Sequence, residues 1–288
     1  MVAWVLPQVE GSPVQPAPPP AFPPRPARPA SELLPRARPM ARRRNRARIL
    51  PLGDAALTVD FGDAIDPEHN RAVLALEQAV AAAELPGVRE TVPSYRALLV
   101  LYDPEQIGFA TLAAQLDALL RSAGAETQTG GTRWTVPVAY DPPFGLDLPE
   151  LVRLLDLPPE QIRARHAGAG YCVFMVGFAP GFTYLGGLDP TLTVPRRATP
   201  RAEVPAGSIM IGGQQAAIVS MPIPTGWYVL GRTPLRAFEP DRPDPFLFRP
   251  GDRVHFRPVG AEEYARLAAL PDAELRALAQ ETAACPDF

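Results

Sequence analysis

Between residues 171 and 258 glycine and proline recur so closely that no helix of ordinary length fits. The chain holds 38 prolines and 22 glycines, and those in this stretch constrain the architecture most. What remains between them is short and apolar, as in "YCVFMV" (171–176). Strands separated by tight turns, in a β-barrel or sandwich, satisfy that pattern. The densest run is "GFAPGFTYLGG" (177–187), too broken for a helix and too glycine-rich for an ordinary strand. It reads as sharp turns, with Phe178, Phe182 and Tyr184 either packing a core or lining a pocket. "GDRVHFRPV" (251–259) reads as a closing strand, with Val254 and Phe256 on one face and Arg253 and His255 on the other.

The preceding region is patterned differently. "ILPLGDAALTVDFG" (49–62) alternates apolar and polar residues and predicts a strand or hairpin. Apolar residues at helical spacing predict helices over 67–84, opened by Pro67, and over 107–124, closed by Gly124. Between them "VRETVPS" and "RALLVLYD" read as two short strands, and "RWTVPVAYD" as the next. The order β-α-β-β-α followed by a strand predicts a small α/β sandwich of split-βαβ type. Residues 148–167 read as two short helices, each with proline near its start, and 261–282 as a helical tail interrupted by Pro271. The expected layout is a Pro/Arg-rich tail over 1–48, an α/β domain over 49–130, a β-barrel domain over 131–260 and a helical tail over 261–288. The first 39 residues are proline-rich and of low complexity, a composition that cannot build a core. They lack the charged start and apolar segment of a signal peptide, and Met40 is expected to be the true start.

Charge and composition exclude several functions. The net charge is −3, yet residues 1–48 carry nine arginines against Glu10 and Glu32, or +7, so the remainder carries −10. An acidic body argues against a nucleic-acid-binding core. The basic run "ARRRNRAR" (41–48) reads as a polyanion-binding arm or a solvated tail. All basic residues are arginine, so a P-loop lysine, a Schiff base and a serine–lysine dyad are excluded. No apolar run approaches the length needed to span a membrane. The two cysteines, Cys172 and Cys285, form no metal-ligand spacing, and a reducing cytoplasm is expected.

Neither glycine run matches a dinucleotide fingerprint, and no GxSxG elbow occurs. His166, just before the β region, is either a general base or a histidine satisfied by its surroundings. "VPRRATPRAEVPAGS" (194–208) presents Arg196, Arg197 and Arg201 from a loop stiffened by Pro195, Pro200 and Pro205. Such a loop suits recognition of carboxylate or phosphate, or is a solvated face. No metal-binding pattern is present.

"LGDAALTV", "GFAPGFTYLGGL", "PRRATPRAEVPAGSIMIGG", "GW" (226–227), "LGRTP" and "RPGDRVHFRPV" together resemble the allophanate hydrolase subunit 1 family, over about residues 49–260. That family includes the B subunit of 5-oxoprolinase and a sensor-kinase inhibitor. The resemblance implies an α+β fold: a small N-terminal α/β domain followed by a C-terminal cyclophilin-like β-barrel. It implies ATP-dependent opening of 5-oxoproline to glutamate, with ATP and Mg2+ held in a site shared with a partner. The implied partners are an allophanate hydrolase subunit 2-type protein (the C subunit of 5-oxoprolinase) and a LamB/YcsF-type protein (its A subunit). The alternatives are a regulatory module that inhibits a histidine kinase, and a component of a urea amidolyase or carboxyltransferase-like system.

Carried onto this sequence, the resemblance implies catalytic positions at His166, Arg197, Arg201 and Gln215. Substrate contacts fall on Phe178, Pro180, Gly181, Phe182 and Tyr184 of the glycine run, on Arg196 and Ser208, and on Trp227 and Arg232. After "IGG" the family shows Gln-Thr-Gly; here Gln215 matches, but Ala216 and Ala217 follow, which removes a hydroxyl that could touch a ligand.

Overall fold

The computed structural model describes residues 47–122 and 131–281. The proline-rich stretch, Met40, nearly all of the arginine run, Gly124 and Cys285 lie outside the described residues. The described chain builds two large sheets and a two-stranded ribbon.

The smaller sheet comprises β1 (Arg48–Pro51), β2 (Ala56–Asp60), β3 (Val88–Pro93) and β4 (Ala97–Tyr102), with α1 (Pro67–Ala83) and α2 (Phe109–Ser122). Its strand order is β1-β2-β4-β3, and every neighbouring pair is antiparallel. β2 and β3 are therefore parallel, joined through α1, with β4 inserted between them: this is a split βαβ unit. Asp66 opens α1 by accepting a hydrogen bond from the Glu68 amide at 2.6 Å, and Pro67 occupies the first turn. Val73, Leu76 and Val80 then fall on one face and pack with Leu57, Val59, Leu98, Val100, Leu112 and Leu116.

The strand over "RWTVPVAYD" follows the small α/β pattern in sequence and opens the stretch expected to form the barrel, and it does not join this sheet. As β5 (Arg133–Val138) it pairs in parallel with β13 (Arg253–Pro258), in the second sheet. The reason is its apolar content: Trp134, Val136 and Val138 are buried in the larger core.

The second sheet adds β6 (Tyr171–Val176), β7 (Thr183–Gly186), β9 (Ser208–Gly212), β10 (Gln215–Ile218) and β12 (Tyr228–Arg232). Its order is β12-β9-β10-β7-β6-β13-β5. Ala139, just past β5, exchanges two 2.9 Å backbone hydrogen bonds with Arg232 at the end of β12. The sheet thus curls into a nearly closed mixed barrel. A ribbon of β8 (Arg201–Val204) and β11 (Ile223–Thr225) lies outside this sheet. Helices α3 (Leu148–Leu155), α4 (Pro159–Gly168), α5 (Ala261–Ala268) and α6 (Asp272–Glu281) complete an α+β fold. Among the described residues no helix is long and apolar enough to cross a membrane.

Alternation along the barrel strands sorts side chains onto two faces. Leu185, Ile209, Ile211, Ala216, Ile218 and Leu230 point inward to one core, while Phe182, Met210, Ala217 and Val229 point outward to another. Ala216 is fully buried on the inner side. The hydroxyl that the family's threonine would supply there belongs to packing and not to an exposed surface.

The outer face meets the smaller sheet. Asn70 of α1, almost fully buried, donates through Nδ2 to the carbonyls of Ser94 (3.2 Å) and Phe174 (3.1 Å). Tyr95, in the turn between β3 and β4, sets its ring edge-on to Phe174 and Tyr184, with centroids 6.2 and 5.6 Å apart. The outer end of the Phe174 ring approaches Gly186, where a Cβ would stand 2.0 Å from it. The second half of the glycine run therefore lets this seam close.

A candidate functional site at the seam

The turn that links β6 and β7 accounts for the rest of the glycine run. Phe182 N–H donates to Ala179 O and Gly177 N–H to Phe182 O, both at 3.0 Å, and Gly181 takes φ +71°. It is a hairpin turn and not a phosphate loop. Phe178 and Pro180 are exposed at its tip. Phe178 takes φ +74° and packs edge-on against buried Phe182, with centroids 5.7 Å apart.

A cleft of about 480 Å³ opens at the seam. One wall is the loop after β2, Asp63 to Ile65; the other is Arg196 with the β9–β10 hairpin, Gly212 to Gln215. Gly213, at φ +61°, makes the two-residue turn, and Gly212 lets the Trp227 indole approach: a Cβ there would lie 2.7 Å from the ring. The Arg196 guanidinium stands 6.0 Å over Trp227. No described carboxylate pairs with Arg196.

Behind this lining are two polar atoms without hydrogen-bond partners, Gln215 Nε2 and Tyr95 Oη. The Gln215 amide lies beside the Tyr95 hydroxyl but forms no well-shaped hydrogen bond with it. Burial holds the phenols of Tyr95 and Tyr184 above their ordinary pKa, opposed only in part by Arg196, so both stay protonated donors.

The neighbouring arginines are committed elsewhere. Arg197 donates to Asp147 Oδ1 at 2.9 Å and to Glu150, and its guanidinium lies 5.2 Å over Tyr228. Arg201 donates to both Asp147 oxygens. Asp147 is 1% exposed and also accepts from the Val229 amide at 2.8 Å. Both guanidinium groups sit against this carboxylate and anchor the loop that presents Arg196.

The structure therefore gathers Arg196, Gln215, Tyr184 and Trp227 at one place, with Phe182 in the outer core beneath. It does not bring His166 there. His166 is fully buried on α4, accepts or donates through Nδ1 to Tyr140 Oη at 2.8 Å and stacks on Phe256 at 4.7 Å. Burial pushes its pKa down to about 3, and its Nε2 has no partner. Ser208 and Arg232 face each other across β9 and β12 and bond to the carbonyls of Pro205 (2.7 Å) and Ala206 (2.9 Å).

Sequence reasoning missed Tyr95 and Asp147. Asp147 precedes "LPE" and looks like a helix cap, yet its side chain makes no cap bond. Tyr95 sits in an ordinary turn, and only the docking of the two sheets gives it a role.

Residues 47–248 match the family model for the carboxyltransferase domain, subdomain C and D. The chain is 33% identical to the B subunit of 5-oxoprolinase from Bacillus subtilis, over 76% of this chain and 95% of that protein. The crystal structure of TTHA0988 superposes with a TM-score of 0.63 at 36% identity, over 72% of this chain and 40% of that one. The urea amidolyase of K. lactis shares the fold, with a TM-score of 0.66 at 20% identity, over 80% of this chain and 16% of that one. The chain belongs to the carboxyltransferase-domain family of subdomain C and D proteins, in the group that contains the B subunit of 5-oxoprolinase.

Proposed function

We propose that the chain is one component of an ATP-dependent system that opens a cyclic amide, 5-oxoproline, to glutamate, and that the seam cleft receives the amide. The observation that carries this reading is a cleft lined by Arg196, which has no described carboxylate partner and rests over the buried Trp227 ring, and by Gln215, whose Nε2 is unpartnered. Convergent donors in a cleft suit a small ring bearing acceptor oxygens. The relationship to the B subunit of 5-oxoprolinase supplies the substrate.

The cleft does not suit a nucleoside triphosphate. Arg196 is its one lining arginine, Asp63 stands on the opposite wall, and the hairpin at Gly212 and Gly213 leads into a strand, not a helix N-terminus. We assign ATP and Mg2+ to a partner of the allophanate hydrolase subunit 2 type, with a LamB/YcsF-type protein completing the assembly. The burial of His166 supports a packing role for it over proton transfer.

Co-expression with both partner types tests the reading. ATP-dependent glutamate release from 5-oxoproline is expected, and Arg196→Ala should lower it by about ten-fold or more. A folded complex that releases no glutamate overturns the proposal.

A further inference from the structure

Three hydrogen-bond donors lie where the two sheets join, and none makes a well-shaped bond to an acceptor among the described residues. Arg196 presents an exposed guanidinium with no described carboxylate partner, and Gln215 Nε2 and Tyr95 Oη are buried side by side without well-shaped partners. A buried donor left unmade is unfavourable, so such groups are retained where something else completes them. What completes them must accept hydrogen bonds. A planar carboxylate offers about four lone-pair sites and pairs with a guanidinium through two parallel bonds. Asp63 on the far wall is paired with Arg48 (3.5 Å) and Arg96 (3.8 Å), so the single Arg196 cation is left to balance a monoanion and not a phosphate dianion. Trp227, buried in the outer core, and half-buried Tyr184 lie beneath the donors with centroids 6.1 Å apart and hold this part of the wall in place.

We propose that Arg196, Gln215 and Tyr95 form a carboxylate-binding subsite, in which Tyr95 is contributed by the smaller sheet across the seam. The inference rests on the reading of the cleft as the substrate site and adds to it a charge requirement and a residue. Tyr95 lies one layer behind the lining, next to the Gln215 amide. Gln215 lines the cleft in front of Tyr95, so turning its side chain aside would open the Tyr95 hydroxyl to a ligand held by Arg196. A bound carboxylate then ties the two sheets together.

Calorimetric titration of the full chain with 5-oxoproline and with 2-pyrrolidinone, the same ring without the carboxylate, tests this. 5-Oxoproline should bind about ten-fold tighter or more, and Arg196→Gln should abolish that preference. Tyr95→Phe keeps the ring contacts and should reduce the preference about five-fold, with the melting temperature unchanged. Equal affinities for the two ligands overturn the subsite while leaving the cleft as an amide site. An unchanged preference in Tyr95→Phe removes Tyr95 and leaves water as the partner of its hydroxyl. Binding of neither ligand overturns the inference. Carboxylate-selective binding without turnover in the assembled complex would instead overturn the proposed reaction and leave the subsite standing.

Discussion

Of the buried nitrogens that meet no hydrogen-bond partner among the described residues, two lie in regions that differ in every other respect. In the barrel interior the nitrogen is His166 Nε2, packed among Tyr140, Tyr171 and Phe256. At the seam it is Gln215 Nε2, next to a second orphan, Tyr95 Oη, an unpaired arginine and an open cleft. Burial perturbs titration in both regions: it drives His166 far below its usual range in the interior and raises Tyr95 well above its own at the seam. The seam has the combination that binding needs: convergent donors, net charge and access. Perturbed titration marks low dielectric, and only the opening and the uncompensated charge mark a place for a ligand.

The largest expected effect comes from the support beneath the seam. Asp147→Ala would leave Arg197, Arg201 and the Val229 amide without their shared acceptor. Removing one partner of a buried ion pair costs about 3–5 kcal/mol, and chemical denaturation should record a loss of that size. A loss below about 1 kcal/mol would mean the arginines find other partners or water, and the distinction between committed and free arginines would fail.

His166→Ala comes next. It removes a fully buried ring stacked on Phe256 and leaves the Tyr140 hydroxyl without its 2.8 Å partner. A loss of about 2–4 kcal/mol is expected in denaturation, with ligand affinity at the seam unchanged. Reduced affinity in a stably folded variant would join the two regions that the structure keeps apart. The same residue sets a pH dependence. Its imidazole titrates near 6.5 in the unfolded chain and about 3 in the folded one. Between those values the unfolded state holds more protons, so stability falls as pH drops, by roughly 1.4 kcal/mol per unit. His166→Phe should flatten that slope between pH 6.5 and 3. An unaltered slope would show that the ring is solvated.

Local signals carried most of the architecture. The expected helix over 67–84 is α1 over Pro67–Ala83, and the closing strand buries Val254 and Phe256 as its alternation requires. What depends on pairing between distant segments was not legible. β5 follows the small α/β pattern in sequence but finds its partner in β13, because parallel pairing leaves no local mark. The three arginines of 196–201 look alike along the chain; Asp147, far from them in sequence, separates two of them from the third. The glycine run was legible as turns. That its Gly186 makes room for Phe174 at a seam with Tyr95 follows only from the docked sheets.

The smallest effect discriminates most sharply between the two regions. Tyr95→Phe deletes one hydroxyl and keeps a ring that touches Phe174 and Tyr184. If the hydroxyl were part of the fold's own hydrogen bonding, its loss would cost about 1 kcal/mol or more, as at Tyr140. Because Oη has no partner, stability should change by less than about 0.5 kcal/mol, or rise slightly as an unsatisfied donor disappears. Thermal denaturation without ligand checks this. A clear destabilisation would place Tyr95 with His166 among groups that serve packing. A neutral result, combined with weakened carboxylate preference, is the signature of a group held in place for something outside the chain.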